Sequence, residues 1–471
     1  MTDSCSSLRF GRALLLIGVL LLTTACTSLA PSPPHRDPVQ LPDRFGIESE
    51  GISAWQNWWE AWDNPQLNAL INQALDNNLD IAAAFARLRR ARALADQAGA
   101  DKIPTLSLEG DASAARTYAD NSFINENRSS SLGLQAGYEL DLWGRIKSRA
   151  EAAALDVKAA RQDLQAARIS IAAETAEAWL KLLSLRREKQ VLKKQIDLSV
   201  RLLDTLIFRL EKGSATAADV TRQKQALESR RSALPGLSIQ EKLTLHRLAV
   251  LTGRADPKTI EISGQELPDN LPMPDSGLPS QLLMSRPDIR SGYLSLHSAG
   301  WDTARVRADR LPQVNITAGS ALSSPLLIPD WGDWLLRLGL NLAAPVVDGG
   351  LRLARVEQAL ADEDQQAAEY AALVLGAVRE VQDALAREEG QEKIIRGIHR
   401  EKQAAQEAAD QARLRYLMGQ GEYTDYLSRL ESLQSLERNM IQARAELLSY
   451  RVSLYRALGT GWKTAVLEVN E

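Results

Sequence analysis

Leu132-Gly133-Leu134-Gln135-Ala136-Gly137-Tyr138-Glu139-Leu140-Asp141-Leu142-Trp143-Gly144-Arg145 sets the terms of the fold. Its even positions, Leu132, Leu134, Ala136, Tyr138, Leu140 and Leu142, are apolar, and a period of two places them on one face of a strand. At Arg145 the pattern changes. From there to Lys212 no proline occurs in 68 residues, and a helix of that length would run about 100 Å at a rise of about 1.5 Å per residue. Such a helix does not fit inside a compact domain. It suits an elongated antiparallel coiled-coil assembly, with Ile169, Ala172, Ala176, Trp179, Leu180 and Leu183 along one face.

The same passage from strand to helix occurs again further on. Trp334, Leu336, Leu338, Leu340 and Leu342 alternate with Leu335, Arg337, Gly339, Asn341 and Ala343; Pro345-Val346-Val347-Asp348-Gly349-Gly350 follows, and Leu351 to Met418 is again 68 residues without proline. Gly144, Pro345, Gly349 and Gly350 are therefore read as strand-to-helix transitions. Wider anchors share the offset: Leu79-Asp80-Ile81 with Pro287-Asp288-Ile289 and Ile103-Pro104-Thr105 with Leu311-Pro312-Gln313 at 208 residues, then Gly213, Asp219 and Gly253 with Gly419, Asp425 and Gly459 at 206. A period this long is no short solenoid repeat. It marks two homologous halves, 65–256 and 280–460, around a Pro-rich polar linker at 257–279, with a tail at 461–471.

Each half is expected to hold a helical stretch (Pro65 to Gly99; Gly277 to Arg310), two strands, a very long helix, a glycine turn and a shorter helix, Val220 to Thr252 in the first half. Strands are expected near 103–118, 130–143, 311–323 and 333–345, the third alternating Val314, Ile316 and Ala318 against Gln313, Asn315 and Thr317. Pro235-Gly236 is expected to kink the shorter helix. One apolar and one polar face per strand fits a wall between lipid and water, with Trp143, Trp331 and Trp334 near strand ends as interfacial aromatics. A half-buried soluble strand has the same alternation. Four strands per chain cannot close a barrel, and an open edge in lipid strands backbone groups. Three chains would supply twelve strands, inside the range of roughly 8 to 26 found in such barrels.

The start of the 471-residue chain reads as an address. Arg9 and Arg12 precede an apolar run, Ala13 to Leu22, then Thr23, Thr24, Ala25 and Cys26, the order of a secretory signal over 1–25. Leu22-Thr-Thr-Ala-Cys26 resembles a lipobox, with Thr23 where leucine is usual, and makes Cys26 the lipidation residue of an anchored segment, 26–64; plain signal-peptidase cleavage is the alternative. Thr27, rather than aspartate, points to the outer membrane. No later stretch reaches the roughly 18 to 20 apolar residues of a membrane helix. The other cysteine, Cys5, lies in the removed segment, so no disulfide or zinc site is expected.

Composition narrows the function class. A net charge of −4 offers no basic surface for nucleic acid, and 5% aromatic residues with abundant Ala, Leu, Arg, Glu and Gln favour long helices. His35, His246, His297 and His399 stand singly, in no metal-ligand spacing, and Gly349-Gly350 lacks the Gly-Lys-Ser/Thr of a phosphate loop. No enzyme chemistry and no metal or cofactor is expected beyond covalent lipid on Cys26. Five methionines trace no path for soft metal ions.

Several motifs together resemble the TolC-like outer-membrane efflux protein family, in its lipoprotein branch (OprM- and NodT-like). They are Trp62-Asp-Asn-Pro-Gln-Leu-Asn-Ala-Leu70, Tyr138-Glu-Leu-Asp-Leu-Trp-Gly-Arg145, Arg286-Pro-Asp-Ile-Arg290 and Pro345-Val-Val-Asp-Gly-Gly350, and the likeness extends from Trp55 to Gly459. It implies a mainly α fold with a small β part, a homotrimer with a twelve-stranded barrel, a helical barrel in the periplasm, and an equatorial region that includes 257–279. It implies a passive exit duct that meets a periplasmic adaptor (membrane fusion) protein and an inner-membrane transporter, commonly proton-driven and of RND type. The turns Gly213-Ser-Ala-Thr216-Ala-Ala-Asp219 and Gly419-Gln-Gly-Glu422-Tyr-Thr-Asp425 become the adaptor rim, with Arg415, Tyr416, Glu422 and Asp425 as gate candidates. Asp425 is the first choice, partnered by Tyr416 or Arg415. Left-handed glycines and capping Thr or Asp explain the same turns structurally. Trp55, Trp58, Trp59 and Trp62 are expected to pack on the equatorial region rather than anchor in lipid. A protein-secretion duct and a lipid-tethered coiled-coil scaffold are the alternatives to small-molecule efflux.

Overall fold

The computed structural model describes residues 57–120, 122–274, 286–324 and 334–459. The signal segment, Cys26, Trp55, Trp331 and the tail at 461–471 lie outside them. The described residues divide into two compact units, one joining 87–161 with 291–372 and the other joining 57–86, 162–290 and 373–459, each without the stretches outside the described residues.

The first unit is organised by an antiparallel sheet of four strands among the described residues, β1 (Thr105–Ala119), β2 (Ser122–Leu140), β3 (Gln313–Ser324) and β4 (Trp334–Ala343), in the order β1-β2-β3-β4. The β2–β3 ladder joins the two sequence halves. Residues directly opposite one another share a face. Leu106, Ala136, Ala318 and Leu338 form one such row, and Leu108, Leu134, Ser320 and Leu336 the next. On that face Leu336, Leu338, Leu340 and Leu342 each keep 70% or more of their surface open. The other face carries Glu109, Asp111, Gln135, Glu139, Asn315, Thr317, Arg337 and Asn341 among glycines. In water the leucine face would be a liability; in hydrocarbon it needs no cover.

The second strand differs from expectation at both ends. It begins at Ser122 rather than near 130, because 122–129 has no apolar alternation yet extends the ladder against 113–119, with one register shift between Thr117 and Tyr118. It stops at Leu140 because Asp141 turns to another task. Its carboxylate accepts from the amides of Ile146 (3.0 Å) and Lys147 (2.7 Å), capping the long helix α3 (Arg145–Glu211). Gly144 supplies the left-handed step between them (φ 75°), and Arg145 reaches back to Glu139 at 2.6 Å. Trp143 donates its indole N–H to the Pro312 carbonyl at 2.6 Å, tying this corner to the start of β3. The second transition repeats the plan: Asp348 accepts from Gly350 (3.1 Å) and Arg352 (3.2 Å), and Gly349 and Gly350 have φ of 63° and 86° before helix α6 (Leu351–Leu417). Pro345 follows β4, which ends at Ala343.

The stretch from Pro65 is two helices, not one: α1 (Pro65–Asn77) and α2 (Leu79–Ala100). Between them Asn78 is extended and buried; its side-chain oxygen accepts from Asp80 (2.9 Å) and Ile81 (3.3 Å), which caps α2. In the second half the described helix α5 runs only from Pro287 to Ala308, and 277–285 lies outside the described residues. The shorter hairpin helices are α4 (Ala217–Leu251) and α7 (Tyr423–Ala457). α4 continues through Pro235 without a break. Pro235 and Arg231, whose carbonyl loses its partner there, are both exposed to water, which lowers the cost of the missing bond.

The second unit buries the face foreseen on α3, from Ile169 to Leu183, with Trp179 2% exposed. Trp58 and Trp59 are buried here too, Trp58 stacked on Tyr455 at 5.6 Å. The linker after α4 is held through its backbone: Trp62 donates to the Asp269 carbonyl (2.9 Å), Arg186 to Ile262 (2.5 Å) and Tyr455 to Pro272 (3.0 Å). Arg451 binds the Leu271 carbonyl and the buried Glu388 carboxylate.

The repeat anchors have a physical basis in this unit. Asn78 donates to the carbonyl of Leu251 (3.0 Å), and at the equivalent place Arg286 donates to that of Ala457 (2.9 Å). Two residues beyond each carbonyl is a left-handed glycine, Gly253 (φ 70°) and Gly459 (φ 64°). A Cβ on Gly253 would lie 2.4 Å from the Asn77 carbonyl oxygen, and one on Gly459 would lie 3.0 Å from the Arg286 Cα. The motif Arg286-Pro287-Asp288 belongs to this junction, with Arg286 binding Asp288 (2.6 Å) and Glu380 (2.8 Å). Burial alone would raise the Asp288 carboxyl, but the hydrogen bonds and charge of Arg286 outweigh it and hold it below its ordinary value. Gly253→Ala is expected to lower the thermal unfolding midpoint of the detergent-solubilised protein well beyond Gly213→Ala. The latter has open space around it and meets only the left-handed penalty of about 1–2 kcal/mol. Equal shifts in circular-dichroism melts would contradict the close approach.

Candidate functional site: the paired hairpin turns

Both long helices end in the same way. Gly213 donates to the Leu210 carbonyl (2.9 Å) and Ser214 to that of Arg209 (2.8 Å); Gly419 donates to Tyr416 (3.1 Å) and Gln420 to Arg415 (2.8 Å). Each glycine has φ of 72°. These are two copies of one glycine-terminated helix end, in which the left-handed residue lets the chain fold back onto the last carbonyls.

The following helices start differently. Thr216 and Asp219 form a reciprocal capping box on α4: the Asp219 amide donates to the Thr216 hydroxyl (3.2 Å) and the Thr216 amide to the Asp219 carboxylate (3.0 Å). At the equivalent position before α7 stands Glu422, which makes no side-chain cap and instead accepts from the Thr424 hydroxyl (2.9 Å). Asp425, the counterpart of Asp219, is thereby released from capping. It pairs within the chain with Arg429 at 3.3 Å, both partners about half exposed (46% and 57%). An exposed pair of this spacing contributes about 0.3–0.5 kcal/mol, so it yields readily to a better partner.

The other gate candidates separate. Neither Tyr416 nor Arg415 is the ionic partner of Asp425 within the chain. Tyr416 lies under the Arg209 guanidinium (4.6 Å) and edge-on to Tyr423 (5.4 Å), so it links the ends of the two long helices. Arg415 is exposed, its Cβ beside Gly421, where an added Cβ would approach to 3.1 Å. Gly213, Thr216, Asp219 and Gly419 thus hold the turns' shape, while Arg415, Glu422 and Asp425 present charge to the surroundings.

Beneath the turns is a contact that sequence reading did not assign. The Tyr423 hydroxyl donates to the Gln223 side-chain oxygen at 2.6 Å, and the Gln223 amide donates to the Ser199 carbonyl at 2.8 Å, all buried. Around them Leu206, Ala226, Ala412, Tyr426, Leu427 and Leu430 form a core shared by the two hairpins. Burial pushes the Tyr423 phenol up, so it stays a donor at any physiological pH. Two turns along, Arg230 grips the Gln434 side-chain oxygen (2.9 and 2.8 Å). Tyr423, placed one residue after the uncapped turn, was visible as an aromatic; nothing in the sequence pairs it with Gln223, 200 positions away. Exposed apolar side chains, Phe208, Leu414, Leu417 and Met418, flank the turns. No group of His, Cys, Asp and Glu among the described residues could hold a metal ion. No helix there is long and apolar enough to cross a membrane.

Comparison with known proteins fits this geometry. The family model described as outer membrane efflux protein matches residues 70–254 and 278–460, one stretch in each half. The pyoverdine export outer membrane protein OpmQ of Pseudomonas aeruginosa is 29% identical over 462 residues, 95% of this chain and 97% of that protein. The toluene efflux pump outer membrane protein TtgC of Pseudomonas putida is 29% identical over 453 residues, 94% and 91% of the two chains. The solved outer-membrane channel OprN superposes with a TM-score of 0.85 at 28% identity, covering 92% of this chain and 99% of that one. With both halves matched and the four-stranded sheet and doubled hairpins in place, this chain belongs to the outer membrane efflux protein family and is an efflux channel of the outer membrane.

Proposed function

We propose that the channel is a lipid-anchored homotrimer, the passive exit duct of a tripartite pump for small molecules. Its hairpin turns would meet a periplasmic adaptor and, through it, an inner-membrane transporter of the RND type. The observation that carries this reading is the sheet: it is apolar on one face, polar on the other, and has no neighbouring strand beyond β1 or β4 among the described residues. Three copies joined edge to edge leave no edge. The names of relatives span pyoverdine, toluene and, in the cation efflux system protein CusC of Escherichia coli, cations. That breadth favours a duct whose cargo is chosen upstream.

The doubled turns suit the adaptor contact, since threefold repetition would place six similar loops in a ring. Asp425 is the gating residue of this reading because, unlike Asp219, it is free of the cap and only weakly paired; Arg415, Glu422 and Tyr416 complete the ring. The Tyr423–Gln223 bond would hold the two hairpins of one chain together in the resting state. Cys26 would carry the acyl chains, since one chain alone anchors marginally.

Single-channel conductance in planar bilayers tests the gate. Asp425→Ala is expected to conduct more than wild type; discrete pores of unchanged conductance would remove Asp425 from the gate, and folded protein without pores would remove the channel. Tyr423→Phe leaves the Gln223 oxygen buried and unpaired, a cost of about 1–3 kcal/mol. It is expected to lengthen the time spent in the more conducting state, and unaltered dwell times would show that this bond does not hold the hairpins. Cys26→Ser is expected to abolish labelling by radioactive palmitate in cells, and retained label would place the anchor elsewhere.

A further inference from the structure

The two edges of the sheet carry opposite charges on the same face. β4 has a single charged residue, Arg337, and the polar face of β1 has two, Glu109 and Asp111. All three are exposed, and none of their side chains has an ion pair or hydrogen bond within the described residues of the chain. The reason is geometric. Across its own sheet Arg337 faces Gly319, then Gln135, then Ser107, so the row offers no carboxylate. The diagonal positions on β3 are Thr317 and Ala321, again without charge.

We propose that Arg337 of one copy pairs with Glu109 or Asp111 of the next, forming an ion pair across each seam of the assembled barrel on its water-facing side. The inference rests on the trimer reading and extends it to named seam residues. In an edge-to-edge closure β4 of one copy lies beside β1 of its neighbour. Any stagger that keeps leucines facing lipid on both strands also puts Arg337 on the face of Glu109 and Asp111, because faces alternate residue by residue. The two acids are spaced two residues apart, and cross-strand partners interact both directly opposite and diagonally, at about 7–8 Å between backbones. A long arginine therefore meets one or the other over a stagger of several residues. The opposite face of β1 holds no competing acid: its row is Leu106, Leu108, Gly110, Ala112 and Ala114, ending at Arg116. The seam is thus self-selecting, since a β1–β1 contact would bring acids together and a β4–β4 contact arginines.

The test uses the full-length protein in detergent. Its mass is measured first, and a monomeric wild type would overturn the trimer reading and this pair with it. With wild type trimeric, Arg337→Cys is combined with Glu109→Cys or with Asp111→Cys and mildly oxidised. A ladder of covalent dimers and trimers is expected from at least one combination, because a disulfide forms only when the two Cα atoms lie within about 7 Å. Separately, Arg337→Glu is expected to lower by several degrees the temperature at which the trimer dissociates in SDS, and adding Glu109→Lys with Asp111→Lys is expected to restore most of the loss. A stable wild-type trimer with no ladder and with additive, unrecovered losses would sink the seam pair while leaving the trimer intact.

Discussion

A backbone amide or carbonyl placed in hydrocarbon without a partner costs several kcal/mol, by the roughly 2–7 kcal/mol range for unpaired polar groups, and every feature of the sheet answers to that cost. Three ladders satisfy the interior of the sheet, and among the described residues only the outer sides of β1 and β4 stay open. Alternation follows from the same constraint, because a strand that is one layer of wall must show lipid one side chain and water the next. The leucines of β4, indefensible on a soluble edge strand, become the expected residues once another copy covers the backbone and lipid covers the side chains. The glycine at 133 then has a reason on the water side. A Cβ at Gly133 would lie 2.6 Å from the Ser320 carbonyl oxygen, so the strands approach more closely there than a side chain allows.

The helices depend on the sheet for their starting points and on two glycine junctions for their return. Asp141 and Asp348 cap α3 and α6 directly after the strands, so the direction of each long helix is set within a few residues of the sheet. At the other end of each repeat, Gly253 and Gly459 bring the final helix back against Asn77 and Arg286. Duplication preserved the backbone approach and let the side-chain donor change from Asn78 to Arg286. That is the expected order of constraint, because a carbonyl can be satisfied by an amide or a guanidinium, whereas a left-handed residue in contact with backbone admits glycine alone.

Much of this was legible because it is local and periodic. The period of two marked β3 and β4 to within two residues, the absence of proline marked α3 and α6 to within one, and paired glycines marked both turns. What escaped reading was either short-range backbone competition or long-range pairing. Asn78 breaks the first helical stretch because its side chain outbids helix continuity locally, an effect that composition averages away. The polar start of β2 is a strand only because β1 is beside it. Tyr423 and Gln223, like Arg230 and Gln434, meet across 200 or more positions, and no spacing rule within one element links them.

The two hairpin turns also show where duplicated halves divided their labour. Equivalent helix ends, with the same glycine geometry, lead into a reciprocally capped helix in the first half and an uncapped one in the second. The capping box on α4 contributes about 0.5–2 kcal/mol to the start of that helix, and its loss before α7 has to be offset elsewhere. Tyr423 does this: it is buried, bonded to Gln223 and packed between Tyr416 and Tyr426, so the second helix start is held by contact with the first hairpin rather than by its own side chains. Stability of the second turn therefore belongs to the pair of hairpins. A self-sufficient turn keeps its shape when its neighbour moves, whereas a turn held by its neighbour changes when they part, and the second is the arrangement that the proposed gate would require.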